Sequence, residues 1–360
     1  MSPHSCKLAL AATCAFVLAP ATFAQAATKS VDMGTPIANQ KAMQALGADV
    51  NAFFPNDITV HRGDKVQFVP TGFHSIEFPK KGTAPLPLAG PSGQTIAGAK
   101  DPAGADYWFN GQPDIEFLPA MVTNQGWGKT FNYSGKNQVL SGLPLGENLK
   151  PVTVKFTNNG TFTYYCNIHP GMKAKVHVVA PKAKSPSKKS DAKRVKKQVA
   201  AALKTAKKLQ KPTVGDNDLL VGNGGAGGVE VFAFFPATKN VKVGTTLTFS
   251  MSPGSRELHT ATTGPGDPEA DPNSFLGKLA GSIGGQPPFD QAGVYPSDAP
   301  GTVASLTPTT HGNGFWGTGF LDASSASPLP ASGQVTIGAA GTYTFYCLIH
   351  PFMKATVTAS

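Results

Sequence analysis

The sequence has little cysteine, and the few cysteines are unevenly placed. Of the 4 cysteines in 360 residues, Cys6 and Cys14 lie near the N terminus, so only Cys166 and Cys347 belong to the body of the chain. A fold held together by several disulfides is therefore excluded. One bridge between these two residues is an alternative, but each lies in the same local pattern in a different half of the chain. That placement favours two equivalent sites in which a bound metal holds a thiolate.

The chain also lacks an N-terminal apolar run long enough to span a membrane. The run from Leu8 to Leu18 follows Lys7 and precedes Ala24-Gln25-Ala26, which is the pattern of a secretory signal with an A-x-A cleavage site. We therefore expect residues 1–26 to be a signal peptide and the chain to have no transmembrane segment. The expected location is the periplasm or the extracellular space, and cleavage would remove the two N-terminal cysteines.

Positive charge is scarce outside one connector. The segment from Lys182 to Lys211 carries 12 Lys or Arg and one Asp, while the formal net charge of the whole chain is +10, so the rest is close to neutral. The folded parts therefore give no support to nucleic-acid binding. Residues Ser190 to Lys211 predict a helix with a narrow apolar stripe. A solvated spacer is one interpretation, and contact with an acidic partner or an anionic cell-envelope polymer is another.

An internal repeat divides the chain. Residues 50–68 (VNAFFPNDITVHRGDKVQF) align without gaps on residues 231–249 (VFAFFPATKNVKVGTTLTF), and the same offset of 181 relates residues 160–178 to residues 341–359. Self-similarity at both ends of each half indicates a duplicated domain. We expect a first domain at 27–180, a Lys-rich, partly helical linker at 181–212 and a second domain at 213–360.

The fold class follows from composition and periodicity. The 40 glycines and 31 prolines, together with few predicted helices, indicate short strands joined by many turns. Alternation such as Phe162, Tyr164, Cys166 and then Val176, Val178 predicts half-buried strands. About seven such strands in each half predict an all-β fold of two tandem Greek-key β-sandwiches.

Long middle segments, 75–159 and 260–340, separate the repeated ends of each half. Each contains a Trp-Gly pair followed by Phe, at Trp127 and Phe131 in the first half and at Trp316 and Phe320 in the second. We expect these aromatic side chains to pack each segment against its sandwich rather than to bind a ligand.

The motif that indicates chemistry is C-x-x-H-x-x-M, which occurs once in each half. Its two copies are Cys166, His169, Met172 and Cys347, His350, Met353. A thiolate, an imidazole and a thioether on one short loop favour copper that cycles between Cu(I) and Cu(II). Zinc sites more often use several Cys or His and no Met.

A second imidazole for each site has to come from elsewhere in the same half. His74 and His259 both lie beyond the strand that contains Phe68 or Phe249, at 92 and 88 residues before the Cys of their own half. A lone His is more often a core or surface residue than a ligand, but the equivalent placement of these two in the repeat favours ligation.

These residues resemble the cupredoxin family of plastocyanin, pseudoazurin and amicyanin. The segment YCLIHPFMK, from Tyr346 to Lys354, is most similar to the ligand loop of amicyanin, and YCNIHPGMK in the first half has the same length. The resemblance implies two type 1 (blue) copper ions, each bound by three ligands in a trigonal plane and by a long axial Met. The implied sets are His74, Cys166, His169 with Met172, and His259, Cys347, His350 with Met353.

The resemblance also implies that His169 and His350 expose a ring edge through an apolar surface patch. Two features depart from the family. The middle segments are much longer than in the single-domain carriers, and Phe73 and Leu258 stand before the upstream histidines, where the family often has Asn. Hydrogen bonding around the ligands therefore cannot be assigned from the sequence.

The expected function is one-electron transfer between a redox donor and a redox acceptor by an exported protein that is not an enzyme. A copper oxidase or an enzyme similar to nitrite reductase is one alternative, but the sequence has no H-x-H motif, and outside the ligands the body of the chain has only His61, His177 and His311. Copper storage or delivery is another alternative, although a chain with 7 Met is not rich in the residue that such open sites favour.

Overall fold

A computed structural model describes residues 26–123, 126–284, 288–325 and 327–360, so the predicted signal peptide lies outside the described residues except for Ala26. The chain is mostly β, and the alternation predicted from the sequence appears as alternating burial. Phe162 and Tyr164 are buried in one strand, and Val176 and Val178 are buried in the next. Among the described residues, no helix has the length and apolar character needed to cross a bilayer.

The elements are given in chain order. The first half contains β1 (Thr28–Met33), α1 (Ile37–Gln44), β2 (Ala48–Val50), β3 (Phe53–Phe54), β4 (Asp57–His61), β5 (Lys65–Pro70), β6 (Glu77–Phe78), β7 (Ala89–Thr95), β8 (Pro113–Phe117), α2 (Pro119–Thr123), β9 (Thr130–Tyr133), β10 (Val139–Leu140), β11 (Val152–Phe156), β12 (Gly160–Tyr165) and β13 (Lys173–Val179). The connector contains α3 (Lys188–Lys208). The second half contains β14 (Asp218–Gly225), β15 (Val229–Phe235), β16 (Thr238–Val241), β17 (Thr246–Ser250), β18 (Leu258–His259), β19 (Thr262–Thr263), α4 (Phe275–Gly284), α5 (Gln291–Val294), β20 (Ala304–Leu306), β21 (Trp316–Gly317), β22 (Leu321–Asp322), β23 (Ser332–Ile337), β24 (Gly341–Tyr346) and β25 (Lys354–Ala359). Short 3₁₀ helices lie at Ala226–Gly228 and Thr310–Gly312.

Two sheets enclose one apolar core in the first half. One sheet has the order β3-β1-β5-β11-β9 and the other has the order β10-β6-β12-β13-β4. The core takes Val31 and Phe68 from the first sheet and Phe78, Tyr164 and Val176 from the second. Strands distant in sequence are therefore neighbours, which places the residue after β12 close to the segment between β5 and β6.

The second half repeats this plan with one strand borrowed from the first. Its sheets have the orders β2-β15-β14-β17-β23-β20 and β16-β25-β24-β19-β21. β2 belongs to the first half by sequence, and it pairs antiparallel with residues 229–231 of β15. One backbone hydrogen-bond ladder therefore joins the two halves.

Helix α3 is packed against both halves instead of lying free in solvent. It begins at Lys188, slightly before the predicted start, because the Ser187 side chain caps it by accepting a hydrogen bond from the Ser190 N–H. Val199 and Ala206 are buried in a cluster that also takes residues from both halves. The members of that cluster are Met43, Ala48, Val50, Phe54, Val199, Ala202, Ala206, Val229 and Val231.

The middle segments pack as expected, but they also reach across the molecule. Trp127 and Phe131 lie against the first core, and Trp316 belongs to the second. The segment of the first half also shares an apolar cluster with the second half, and the Trp108 Nε1–H donates a hydrogen bond to the Pro296 carbonyl at 2.8 Å. The middle segments therefore help to hold the two halves together.

Candidate metal centres

The first cluster consists of His74, Cys166 and His169. His74 lies between β5 and β6, Cys166 directly follows β12, and His169 lies on the loop from β12 to β13. Two backbone hydrogen bonds close this loop, from the Cys166 N–H to the Met172 carbonyl at 3.0 Å and from the Met172 N–H to the His169 carbonyl at 3.0 Å. The short loop therefore holds Cys, His and Met on one side of the strand ends.

The donor atoms of the first cluster form a buried triangle. Cys166 Sγ lies 3.5 Å from His169 Nδ1 and 3.9 Å from His74 Nδ1, and the two Nδ1 atoms are 2.9 Å apart. All three side chains are buried. One thiol and two imidazole nitrogens thus face a common point from which bulk water is excluded.

The second cluster, His259, Cys347 and His350, repeats this arrangement. Cys347 Sγ lies 3.6 Å from His259 Nδ1 and 3.6 Å from His350 Nδ1. The Cys347 N–H donates to the Met353 carbonyl at 3.1 Å, which closes the loop in the same way as in the first half. In the described part of the chain, these two clusters are the groups of three or more His, Cys, Asp or Glu whose possible ligand atoms lie within 4.8 Å of one another.

The two predicted methionine ligands occupy equivalent places. Met172 and Met353 are both buried in the core of their own half, three residues after the loop histidine. The structure therefore brings six of the eight predicted ligands together as two sets, each drawn from one half, and places Met172 and Met353 on the same loops in the adjacent core. The binding of copper by them stays a prediction.

The ionisation of the donors suits a soft cation. Burial raises the pKa of the Cys166 thiol, but the charge of His169 and hydrogen bonds with both histidines lower it well below its ordinary value. Burial likewise opposes ionisation of Cys347, and hydrogen bonds with His259 and His350 lower its pKa well below the ordinary value. Each cluster therefore offers a thiolate stabilised by the positive charge of its histidines, and a thiolate together with two imidazole nitrogens is a donor set that fits copper.

A hydroxyl residue directly after each upstream histidine fixes the cysteine loop. The Asn167 N–H donates to Ser75 Oγ at 2.8 Å, and the Leu348 N–H donates to Thr260 Oγ1 at 2.8 Å. The Thr260 N–H also donates to Cys347 Sγ at 3.4 Å. The signal in the sequence that indicates this role is the hydroxyl residue, Ser75 or Thr260, directly after the predicted upstream ligand in each half.

The two clusters differ at the far nitrogen of the upstream histidine. His259 Nε2 lies 3.3 Å from Glu230 Oε1, and both side chains are buried. His74 Nε2 is also buried but has no hydrogen-bond partner among the described residues. Asp49 occupies the repeat position that corresponds to Glu230, but its carboxylate accepts a hydrogen bond from Thr35 Oγ1 at 2.6 Å. The second cluster therefore carries a carboxylate contact that the first lacks.

The ring edge of His169 is not exposed as expected, whereas the side chain of His350 is 18% exposed. The side chain of His169 is only 7% exposed, and its Nε2 lies 3.3 Å from Glu257 Oε1, while His350 Nε2 lies 3.9 Å from Glu257 Oε2. Both ring edges therefore face a buried carboxylate between the halves. The sequence does not indicate this contact, because nothing local marks Glu257, which lies two residues before the predicted ligand His259 of the second cluster and touches His169 of the first.

A large cavity lies beside the clusters between the two halves. It has a volume of about 2120 Å³ and is lined by residues of both halves, among them His74, His169 and His350. Phe73 and Phe352, which stand next to predicted ligands, line it and are 55% and 54% exposed. The apolar surface near the ligands is therefore a cleft flanked by exposed aromatic side chains.

The remaining described histidines lie in separate environments. His61 contacts Asp64, and His177 contacts Thr161. His311 lies between Asp101 and Asp298, at 3.0 and 3.5 Å. The structure does not bring these three histidines to one place.

No protein-family model and no curated protein matches the chain. Among solved structures, it is similar to a mutant plastocyanin of a fern, with 23% identity over 40% of this chain and 99% of that chain and a TM-score of 0.21. It is similar to an auracyanin from the photosynthetic bacterium Roseiflexus castenholzii, with 19% identity over 40% of this chain and 94% of that chain and a TM-score of 0.23. A purple cupredoxin from Nitrosopumilus maritimus has 16% identity, over 40% of this chain and 98% of that chain, with a TM-score of 0.19.

Proposed function

We propose that the chain is an exported blue copper protein with two tandem cupredoxin-like Greek-key domains, and that it transfers single electrons between a redox donor and a redox acceptor. The observation that supports this proposal is the pair of clusters, each with one Cys and two His donors within 4.8 Å. The Cys and the second His of each cluster lie on a loop that also carries a buried Met. Thiolate, two imidazoles and a thioether form the donor set of type 1 copper. We refer to the copper sites at the first and second clusters as the first and second sites.

Copper would supply a one-electron couple, and the residues of the chain would keep its surroundings unchanged. Backbone hydrogen bonds close both ligand loops, and Ser75 and Thr260 fix the segments that carry the two cysteines. Five of the six His and Cys donors are buried and the His350 side chain is 18% exposed, which limits the access of water to the position between the donors. Ligands held in this way change little in position between the two oxidation states, which suits electron transfer rather than reaction with a substrate.

Addition of Cu(II) to the purified protein tests this proposal. We expect an intense visible absorption from thiolate-to-copper charge transfer with two coppers per chain, and we expect Cys166→Ser and Cys347→Ser each to remove the contribution of one site. Retention of half or more of the colour in the double variant would overturn the ligand assignment. Reversible one-electron waves at an electrode would support a carrier, whereas loss of metal on reduction would support storage or delivery.

The redox partner would contact the cleft between the halves. Phe73 and Phe352 are exposed beside the two sites, and exposed aromatic side chains near the centre of an interface often contribute strongly to binding. Phe73→Ser and Phe352→Ser should slow reduction by a protein donor without slowing reduction by a small-molecule reductant. Ile37→Ser is a matched control, because Ile37 is 69% exposed and does not line the cavity. Equal rates in all variants would place the partner elsewhere.

The lysines of α3 are a second candidate for partner contact. Lys188, Lys189, Lys196 and Lys197 are exposed on the helix, which is otherwise anchored by its apolar side. Reversal of these four lysines to Glu should slow reduction by an acidic partner at low salt, because attraction between exposed charges raises the encounter rate and is screened over about 8 Å at physiological ionic strength. Equal rates and equal salt slopes would leave only a structural role for the helix.

A further inference from the structure

The carboxylate of Glu257 lies between the two candidate sites and contacts both. Its Oε1 is 3.3 Å from His169 Nε2, and its Oε2 is 3.9 Å from His350 Nε2. The first distance is a hydrogen bond length and the second is an ion-pair contact. Each contacted ring is the loop ligand of a different site, so a single side chain connects the two.

Glu257 is held in place by residues of both halves. Asn51 from the first half donates through Nδ2 to Glu257 Oε1 at 2.8 Å, and the Asn51 N–H donates to the Gly228 carbonyl at 2.7 Å, next to the pairing of β2 with β15. Arg256 donates through Nη1 to the Asn51 carbonyl at 3.0 Å. The buried carboxylate is therefore a rigid part of the junction, and it is paired, as a buried charge must be.

We propose that Glu257 couples the two sites, so that one electron passes between them inside the protein. This inference rests on the proposed function, since it requires copper at both clusters. From one loop histidine to the other, the path crosses only the two non-covalent gaps given above, and the rest is the imidazole rings and the carboxylate. Tunnelling decays less steeply along bonds and short non-covalent contacts than through empty space, so this route is favoured over one that crosses the open cleft.

The transfer is balanced without other reactants. With copper held at both clusters, one electron would leave the ion bound by one set of ligands and enter the ion bound by the other, with no bond broken and no proton moved. Glu257 stays a carboxylate throughout, so it is a positioning residue. The contact of Glu230 with His259 adds a second negative charge at the second site alone, which stabilises Cu(II) there. The electron should therefore rest on the first site.

Flash reduction of the fully oxidised protein with less than one electron per molecule measures this exchange. A cationic and an anionic photoreductant should give different initial ratios of molecules reduced at the first site to molecules reduced at the second. Rapid freezing followed by electron paramagnetic resonance records how the two ratios converge on a common value with time. The spectra of Cys166→Ser and Cys347→Ser calibrate each site separately. In the native protein, we expect convergence at a rate independent of protein concentration.

Glu257→Gln tests the bridge, because an amide has the same shape but only one acceptor oxygen and no charge, so it can keep a favourable contact with only one of the two rings. We expect loss of the concentration-independent phase while both sites keep their copper and colour. Glu230→Gln is the matched control, because Glu230 is a buried carboxylate that contacts a ligand of the second site only. This variant should change the final ratio of the two reduced sites and keep the concentration-independent phase. If the two ratios converged as fast in Glu257→Gln as in the native protein, the coupling through Glu257 would be wrong. It would also be wrong if the rate of convergence in the native protein rose with protein concentration, because the electron would then pass between molecules.

A second variant covers the case in which Glu257→Gln does not fold. Glu257→Asp keeps the charge but is one methylene shorter, so it cannot reach both rings, and it should lose the same phase. Absence of blue colour in both single-Cys variants would instead contradict the copper assignment itself. The failure of the bridge and the failure of the proposed function are thus separate results.

Discussion

The attachment of α3 can be tested at a buried ion pair. Lys29 on β1 donates through Nζ to Asp191 Oδ2 at 2.8 Å, and the side chains are only 9% and 10% exposed. Lys29 also donates to the Pro186 carbonyl at 2.7 Å. Asp191→Ala leaves the ammonium buried without its counter-charge, and such a change costs about 3–5 kcal/mol. The retained carbonyl contact places the expected loss of unfolding free energy near the lower value, about 3 kcal/mol.

Urea unfolding of the metal-free protein, followed by circular dichroism, measures this loss. Asp106→Ala is the matched control, since Asp106 forms an ion pair of similar length, 2.9 Å, with Lys100 on the surface, where both side chains are more than half exposed. Exposed pairs contribute about 0–1 kcal/mol, so the control should change stability little. Lys29→Met combined with Asp191→Leu should recover most of the loss. If Asp191→Ala were no more destabilising than the control, the helix would be a loosely attached spacer and the packing argument would be wrong.

Met172→Leu and Met353→Leu should each keep copper bound but shift the reduction potential of the altered site, because the axial thioether is the weakest ligand; an unchanged potential by voltammetry would mean that the Met does not approach the metal. A contact between the halves should depend on pH, because contact with Asp298 and a hydrogen bond with Asp101 raise the pKa of His311 although burial opposes this. Burial raises the pKa of both carboxyl groups, but their contacts with His311 lower it below the usual range. The His311 contribution is complete below about pH 6.5 and is lost as the pH rises through its raised pKa, while the carboxylate contributions are complete above about pH 4 and are lost as the pH falls through their lowered pKa. The stability difference between the native protein and His311→Ala should therefore be greatest between about pH 4 and 6.5, and a difference that does not vary with pH would contradict this account.

The sequence alone determined the features that depend on local spacing. Period-two alternation identified the strands around Phe162 and Val176, because a strand that covers a core must bury every second side chain. The C-x-x-H-x-x-M spacing identified the loops that carry the Cys and one His of each cluster, and the duplicated positions of His74 and His259 led to the second imidazole of each cluster. A repeat in sequence carries such positions into equivalent places in space, so no knowledge of the packing was needed.

Only the tertiary structure decided how the halves meet. Nothing in the sequence shows that the three residues of β2 pair with β15 of the other half. The stripe on α3 predicted an apolar side but not the burial of Asp191 against Lys29, because an ionisable residue in the first turn of a helix is ordinarily exposed. Glu257 and His169 are likewise 88 residues apart in sequence, and their contact depends on the docking of one sandwich against the other. Such contacts are fixed by the three-dimensional complementarity of surfaces and by the need of a buried charge for a partner, and neither leaves a periodic mark in the sequence.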